Sequence, residues 1–397
     1  MQIRVLVDVY PHPFKPYFDV QFEEWRRAGH DLGVFSLARI PGAISPVSVT
    51  TVKSLREAPL TLTLRCLARF VGAPLRSLKL AKAAGSFLEG VKLLALDAQL
   101  PLTAPDVFFM HNLAAGARVW YLKRIFPRVP VGLYYHGGEI PGVAAITREQ
   151  AGRALKGTDL VLTNTQSSAG EIVERGARTE QIRIVPVGFR LEDYPWLENR
   201  AYQPNGRFRI VSVGRVALEK GFDVAIRALS ELHRRGTVDF EYTLIGDGPE
   251  MANIRRVVQE CGIESLVRFT GALPITEVVK ALSDADVLIL PSVPRNTWRE
   301  NQACVMQEAM LMGTVVVAAD IGGVSESLPE EMRKFLFPPG EQQSLTDNIE
   351  RLLRTGATAL RELGRVGRNF VMRKYDVREL NARILTVLHE VKDERVI

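Results

Sequence analysis

The chain has 397 residues, of which 46% are hydrophobic and 24% are charged, and its formal net charge is +6. A single hydrophobic core stops growing near ~250 to 300 residues, so this length predicts two domains. The composition is typical of a globular protein, and no apolar run is long enough to predict a transmembrane helix.

The cysteines and the amino terminus argue against export and against a structural metal. Cys66, Cys261 and Cys304 are far apart and odd in number, and no cluster of histidines accompanies them. This pattern predicts neither a disulfide framework nor a zinc site. The first residues, MQIRVLVDVYPHP, read as a buried strand rather than as a signal peptide. We therefore expect a cytoplasmic protein without a bound metal.

Short apolar runs alternate with amphipathic helical stretches along the chain, which indicates parallel sheets covered by helices. The first half contains six predicted strands: Ile3 to Val9, Asp31 to Phe35, Val107 to Met110, Val131 to Tyr135, Leu160 to Thr163 and Ile182 to Val187. The second half contains five: Phe208 to Val213, Phe240 to Ile245, Val267 to Thr270, Val287 to Leu290 and Val315 to Ala318. Two groups of strands predict two sheets.

A stretch without periodicity, from Tyr194 to Arg207, separates the two groups of strands. It contains prolines, asparagines and a glycine and is typical of a linker, so we place the hinge there. The predicted domains are residues 1–195 and 205–377. The helical tail 378–397 is a candidate to cross back to the first domain.

A basic stretch lies between Val52 and Leu100 and contains eight basic residues but only three acidic ones. Basic residues interleaved with leucines are typical of a surface that meets an anionic membrane or an acidic acceptor. A solvated helix face explains the same pattern equally well.

The segment FRIVSVGRVALEKGFDVAIRAL predicts a strand, a loop and the start of an amphipathic helix. Gly214 permits a tight turn, and Arg215 and Lys220 place two cations where the strand ends. A helix amino terminus with two cations suits a diphosphate. The G-x-G-x-x-G spacing is absent, which disfavours an NAD-dependent dehydrogenase. Ordinary exposed charges at a helix start are the alternative.

A second segment, PSVPRNTWRENQACVMQEAMLMG, contains Glu300 and Glu308. We expect a loop from Glu300 to Val305 and a helix that starts near Val305, so that backbone N–H groups face a phosphate. Glu308 is then expected in the first helical turn, where a carboxylate can accept sugar hydroxyls. Stabilisation of the helix dipole, worth ~0.3 to 1 kcal/mol, is the alternative for Glu308.

These segments, together with YTLIGDGPE and VRFTGALP, resemble the carboxy-terminal half of the retaining family 4 glycosyltransferases over roughly Phe208 to Glu326. The resemblance implies the GT-B fold, in which two Rossmann-like α/β domains face each other across a cleft. It implies that Arg215 and Lys220 bind the donor diphosphate, that Glu308 binds the ribose, and that Glu300 binds hydroxyls of the transferred sugar. The backbone expected to close on the phosphates is that of Ala303, Cys304 and Val305.

The amino-terminal half resembles the same family less closely. The family's paired-glycine loop after the first strand is replaced by Pro13 to Pro16, which is closer to a subgroup involved in bacterial exopolysaccharide assembly. Phe14 and Lys15 in this loop are acceptor-side candidates.

A further match is VGLYYHGGEIPG, in which a predicted strand delivers His136 to a turn with Gly137 and Gly138. The carboxyl end of a strand is where α/β clefts bind ligands. The resemblance puts His136 beside the donor sugar and makes the two glycines acceptor-side candidates. A structural histidine is the alternative.

The resemblance implies a retaining, metal-independent hexosyltransferase with no cofactor besides its nucleotide-sugar substrate. UDP is the expected carrier, and the expected acceptor is a saccharide or a lipid-linked saccharide used in polysaccharide or glycolipid assembly, with possible contact at an anionic membrane. No nucleic-acid partner is expected. Two alternatives stay open: a sugar phosphorylase or sugar-phosphate synthase on the same fold, and a nucleotide-sugar-binding subunit without activity.

Overall fold

The protein is described from a computed structural model over residues 1–11, 17–40, 42–53, 57–100, 103–137, 146–198, 200–202, 206–236, 238–296 and 298–394. In these ranges the chain forms two parallel β-sheets covered by helices. None of the helices described combines the length and the apolar composition that crossing a bilayer requires.

The first sheet has seven strands in the order β3-β2-β1-β4-β5-β6-β7, all parallel. Its strands are β1 (Gln2–Val9), β2 (Asp31–Ala38), β3 (Val49–Thr51), β4 (Val107–His111), β5 (Val131–Tyr135), β6 (Leu160–Thr163) and β7 (Ile182–Ile184). The central strands β4, β5 and β6 are buried along their whole length, as expected for a sheet covered on both faces.

The second sheet has six parallel strands in the order β10-β9-β8-β11-β12-β13. They are β8 (Phe208–Val213), β9 (Phe240–Ile245), β10 (Val267–Gly271), β11 (Val287–Leu290), β12 (Val315–Ala319) and β13 (Leu336–Phe337). The two parallel sheets predicted from the sequence are confirmed.

The helices cover both sheets. Those associated with the first half are α1 (Tyr17–Arg27), α2 (Pro59–Gly72), α3 (Pro74–Ala83), α4 (Phe87–Asp97), α5 (Leu113–Val119), α6 (Leu122–Ile125), α7 (Arg148–Lys156) and α8 (Gln166–Glu174). The others are α9 (Phe222–Arg235), α10 (Met251–Cys261), α11 (Ile275–Asp284), α12 (Cys304–Leu311), α13 (Glu330–Arg333), α14 (Gln342–Leu353), α15 (Gly356–Lys374) and α16 (Val377–Asp393).

Helix α9 shows why these stretches are helical. Most of its apolar residues recur every three or four positions and are buried, while its charged residues lie on the opposite side. It ends at Gly236, whose φ of +62° is a left-handed conformation that glycine adopts without strain. Helix α9 therefore covers one face of the second sheet.

One predicted strand is too long, and two strands were not predicted. The strand expected over Ile182 to Val187 ends at Ile184, because Pro186 has no N–H to continue the ladder. The missed strands β3 and β13 contain three and two residues, which is too few to show alternation. The sheet order and the central strands are unaffected.

The chain passes between the two halves twice, at neighbouring positions. The backbone N–H of Phe189 donates to the carbonyl of Tyr375 at 2.8 Å, and the N–H of Val377 donates to the carbonyl of Phe189 at 3.0 Å. Helix α16 follows and packs on α1, with its apolar residues in the core of the first half. The hinge near residues 195 to 205 stays a prediction.

Candidate functional site

Glycines bring the loop after β8 close to its neighbours. A Cβ on Gly246 would lie 1.9 Å from the carbonyl oxygen of Gly214, and a Cβ on Gly221 would lie 2.1 Å from the carbonyl oxygen of Pro291. Gly221 also has a φ of +61° and is the residue before α9. Sequence reasoning assigned a turn to Gly214 but missed Gly221 and Gly246, which fix the position of Lys220.

Both cations of this loop have a carboxylate partner. Lys220 Nζ donates to Glu300 Oε2 at 2.6 Å, and Ser292 Oγ donates to the same oxygen at 2.8 Å. Arg215 pairs with Glu219, a buried residue that sequence reasoning did not select. Lys220 also lies 5.1 Å from the ring centroid of Trp298. The structure therefore joins the two predicted donor segments through Lys220 and Glu300.

The second glutamate lies deeper in the same segment. Helix α12 begins at Cys304, one residue earlier than predicted, so Glu308 is its fifth residue and lies in the second turn. The prediction of a first-turn position was wrong. Tyr194 Oη donates to Glu308 Oε1 at 3.3 Å. Burial raises the pKa of Glu308 to about 7, against the opposing effect of this hydrogen bond.

Cys304 lies between the two glutamates, directly after Ala303, the amino-terminal cap residue of α12. Burial raises the pKa of its thiol, Glu308 and Glu300 raise it further, and Lys220 opposes them. A thiol in this environment is a weak nucleophile. The thiol is also close enough to Tyr17 and Tyr134 to raise the pKa of both phenols, although burial is the larger cause.

The first half contributes His136, which follows β5 as predicted. Its ring stacks on Tyr134 with 4.2 Å between centroids, and Tyr17 lies at 5.1 Å. His136 Nε2 is 3.1 Å from Nδ1 of the buried His111, so one imidazole donates a hydrogen bond to the other. The next residue, Gly137, closely approaches Asn301, so the imidazole lies at the boundary with the second half.

Gly137 and Asn301 form a close contact between the halves. Gly137 has a φ of +98°, and a Cβ there would lie 1.5 Å from Asn301 Nδ2. Asn301 directly follows Glu300. The contact therefore connects the residue after His136 with the residue after Glu300.

Two adjacent glycines, Gly322 and Gly323, support the loop that carries Glu300. A Cβ on Gly322 would lie 1.9 Å from the carbonyl oxygen of Glu300, and the N–H of Gly323 donates to the same oxygen at 3.0 Å. A Cβ on Gly323 would also meet the Thr165 side chain at 2.6 Å. This close backbone approach places the Glu300 loop against the first half.

Two side chains that sequence reasoning missed join the halves. The carboxylate of Glu326 accepts hydrogen bonds from the backbone N–H groups of Gln166 at 2.6 Å and Ser167 at 2.9 Å, at the amino terminus of α8. The side-chain amide of Gln302 exchanges two hydrogen bonds with the backbone of Val187, at 2.7 and 2.8 Å. The helix start in TNTQSS was readable from its cap residues. The partner Glu326, 160 residues away from Gln166, could not be identified from the sequence.

Three acceptor-side candidates, Phe14, Lys15 and Gly138, lie outside the described residues. The described candidates of the second half follow two elements: Gly214, Arg215 and Lys220 come after β8, and Ala303 caps α12, which contains Cys304, Val305 and Glu308. Their functional roles stay predictions.

A fixed cation beside a helix amino terminus can stabilise negative charge on a departing group, and a paired carboxylate can accept hydroxyl hydrogens. His136 lies across the boundary from both, supplied by the other half. Two parallel-sheet α/β domains with polar groups meeting between them are the architecture of the predicted GT-B fold, and the solved GT-B structures similar to this chain share it. The fold predicted from the sequence is thus confirmed.

Comparison with known proteins gives the family. A model described as Glycosyltransferase Family 4 matches residues 21–193, and one described as Glycosyl transferases group 1 matches residues 207–355. The chain belongs to the family 4 glycosyltransferases, so the predicted family is confirmed.

Relatives with assigned names include the 2-deoxystreptamine glucosyltransferase of Streptomyces kanamyceticus, 33% identical over 60% of this chain and 61% of that protein. The amylovoran biosynthesis glycosyltransferase AmsK of Erwinia amylovora is 28% identical over 63% of this chain and 61% of that protein. Both matches thus span about three fifths of the relative. The crystal structure of HepE from Anabaena in complex with UDP has a TM-score of 0.72 at 19% identity and covers 98% of this chain and 100% of HepE.

Proposed function

We propose that the protein transfers a sugar from a nucleoside diphosphate sugar to a hydroxyl acceptor, with retention of anomeric configuration. The observation that carries the proposal is the contact of Lys220 with Glu300, at the meeting of both predicted donor segments and opposite His136. UDP is the proposed carrier, and the UDP complex of HepE supports this choice.

In the proposed reaction the bond from the anomeric carbon to the diphosphate oxygen breaks, and a bond to the acceptor oxygen forms on the same face. The proton of the acceptor hydroxyl passes to the departing diphosphate. Lys220 and Arg215 would stabilise the growing negative charge, as cations held in place before the reaction begins can do. Glu300 would then exchange its contact with Lys220 for hydroxyls of the donor sugar.

The remaining groups position the substrates. Glu308 would accept hydrogen bonds from the ribose, the backbone of Ala303, Cys304 and Val305 would meet the phosphates, and His136 would orient the donor sugar. The charge stabilisation proposed here requires no metal and no further cofactor.

The acceptor is proposed to be a saccharide, free or linked to a lipid, in polysaccharide or glycolipid assembly. The amylovoran biosynthesis enzyme supports this choice. The 2-deoxystreptamine glucosyltransferase keeps a small aminocyclitol acceptor as the competing possibility. We propose that the enzyme acts in the cytoplasm, and at the inner face of the membrane when the acceptor is lipid-linked.

The first experiment is a thermal-shift screen with UDP, GDP and their sugar derivatives, since a ligand that binds only the native state raises the apparent melting temperature. We expect the largest shift with a UDP-sugar. The same mixtures are then assayed for release of UDP in the presence of alcohol and saccharide acceptors, and the product is examined for its anomeric configuration.

The outcomes separate the alternatives. Binding of the UDP-sugar with neither hydrolysis nor transfer would indicate a subunit without activity. Transfer to inorganic phosphate rather than to a hydroxyl would indicate a phosphorylase. A product of inverted configuration would contradict the proposed mechanism.

A further inference from the structure

Helices α2 and α3 turn an apolar face toward solvent. In α2, Leu60, Leu64, Leu67 and Val71 recur every three or four residues and are 75%, 60%, 59% and 81% exposed. Leu75 and Leu78 continue the surface on α3. Scattered exposed apolar residues are ordinary on a protein surface, whereas a continuous apolar face is typical of an interaction site.

The opposite side of these helices is anchored. Arg76 Nη2 contacts Asp97 Oδ1 at 2.6 Å, and Arg69 Nη2 donates to the carbonyl oxygen of Asp97 at 2.7 Å. Leu62 and Leu80 are buried on the same side. These contacts fix the orientation of the helices, so the apolar face is a built feature of the fold.

Two cations of the basic stretch, Arg69 and Arg76, are buried and face Asp97 instead of solvent. The cations that do reach solvent include Arg65 on α2 and both Lys79 and Lys82 on α3. Lysine and arginine side chains can lay their methylene groups along an apolar face while the charge stays in water. The face is thus both apolar and positively charged.

Helices α2 and α3 themselves contain no acidic residue, and two acidic residues nearby, Asp97 and Glu89, pair with arginines. The carboxylate of Glu89 on α4 accepts a hydrogen bond from Arg153 Nη1 on α7 at 3.2 Å. Helices α2 and α3 have no acidic residue in their first turns. The charge of this surface therefore complements an anionic partner.

We propose that the apolar face of α2 and α3, formed by Leu60, Leu64, Leu67, Val71, Leu75 and Leu78 and flanked by cations, is a docking surface for an anionic lipid bilayer. The apolar side chains enter the boundary between headgroups and acyl chains, and the cations meet lipid phosphates. A second copy of the chain fits less well, because a symmetric contact would place cations against cations.

The docking surface belongs to the first half of the chain, which also contains His136. Strand β3 leads into α2, so the chain leaves the sheet at the carboxyl end of β3. All strands of this sheet are parallel, and His136 follows the carboxyl end of β5 at the same edge. Docking at this surface would bring the protein to a bilayer that holds a lipid-linked acceptor, a class of acceptor that rests on the proposed function.

The test is co-sedimentation of the full chain with vesicles of phosphatidylcholine, alone or mixed with phosphatidylglycerol, at low and high salt. We expect the partition coefficient on anionic vesicles to exceed that on neutral vesicles by about tenfold or more at low salt, and to fall as salt rises. Equal binding to both vesicles, or binding to neither, would overturn the proposal.

Two variants separate the apolar and the charged contributions. Changing Leu64, Leu67 and Val71 together to serine should lower the partition coefficient by about tenfold or more, because apolar area is lost. The matched control Ile44→Ser removes an apolar side chain that is 87% exposed outside the face, and it should bind as the unaltered protein does.

The charge variant combines Lys79→Gln and Lys82→Gln, and should lower binding to anionic vesicles by about tenfold and weaken its salt dependence. The control Lys280→Gln, at an exposed lysine of the second half, should change neither. Undiminished binding of either the charge variant or the apolar variant would contradict the proposal.

Sedimentation equilibrium distinguishes self-association. A dimer that forms without lipid and disappears in the triple serine variant would assign this face to a second copy and overturn the proposal. Thermal unfolding and the donor-induced thermal shift should be the same in all variants. Because vesicle binding is read without any reaction, a failure of sugar transfer does not alter this test.

Discussion

The two halves of the candidate site are held by different interactions. In the second half, Lys220 and Glu300 form an ion pair on loops that glycines bring together. In the first half, His136 is held by the stacked ring of Tyr134 and by the buried imidazole of His111. Charge is fixed by loop geometry in one half, and an imidazole is oriented by packing in the other. Variants of the second half should therefore affect turnover more strongly.

The largest expected effect is that of Lys220→Ala. It should lower kcat by about 10²-fold or more, the size expected when one preorganised charge is removed. Steady-state release of UDP from the best donor measures it. Lys280→Ala, which removes an exposed lysine of the same domain, is the matched control and should keep normal turnover. Near-normal kcat in folded Lys220→Ala protein would remove this lysine from the mechanism.

Glu308 should make stability depend on pH. Its pKa is about 7 in the folded chain and about 4.3 when unfolded, so the folded state favours the protonated carboxyl. The free energy of unfolding should fall as pH rises from about 4 to about 7, by up to about 3 kcal/mol. In Glu308→Gln this contribution should disappear.

Urea unfolding at pH 5, 6, 7 and 8 measures this dependence in both proteins. Glu171, another carboxyl whose pKa burial raises, supplies the control variant Glu171→Gln. A pH slope in Glu308→Gln equal to that of the unaltered protein would contradict the burial argument.

His111→Phe tests whether packing alone orients His136. Phenylalanine fills the buried space but cannot hydrogen-bond to His136 Nε2, so kcat/KM should fall by about tenfold. His111→Gln, which can still hydrogen-bond, should recover part of the loss. An unchanged kcat/KM in folded His111→Phe would show that packing alone orients His136.

The smallest effect is expected at the contact between the halves. Glu326→Ala removes the carboxylate that accepts from two N–H groups of α8 and should lower the free energy of unfolding by about 1 kcal/mol, as for other helix amino-terminal caps. Glu330→Ala, on the exposed surface, is the control. Equal unfolding curves for the two variants would mean that the Glu326 contact adds no net stability.

The sequence predicted the central strands and the two sheets because buried parallel strands are apolar along their length. It also predicted that Lys220 and Glu300 belong to one site. This prediction needed the family resemblance, because the two residues are 80 positions apart in the chain. What it missed depends on distant contacts. In the sequence, Glu219 is an ordinary surface charge and Gly221 an ordinary turn glycine. The structure shows that Glu219 pairs with Arg215 and that Gly221 lies beside the carbonyl oxygen of Pro291.

The neighbouring crossings at Phe189 and Val377 have a consequence for dissecting the protein. Because Leu380, Ile384 and Leu388 of α16 belong to the core of the first half, residues 1–195 produced alone would expose the surface that these side chains cover. Cutting the gene at the linker should give an insoluble amino-terminal fragment, whereas supplying α16 as a separate peptide, or fusing it after residue 195 through a flexible spacer, should restore a soluble one.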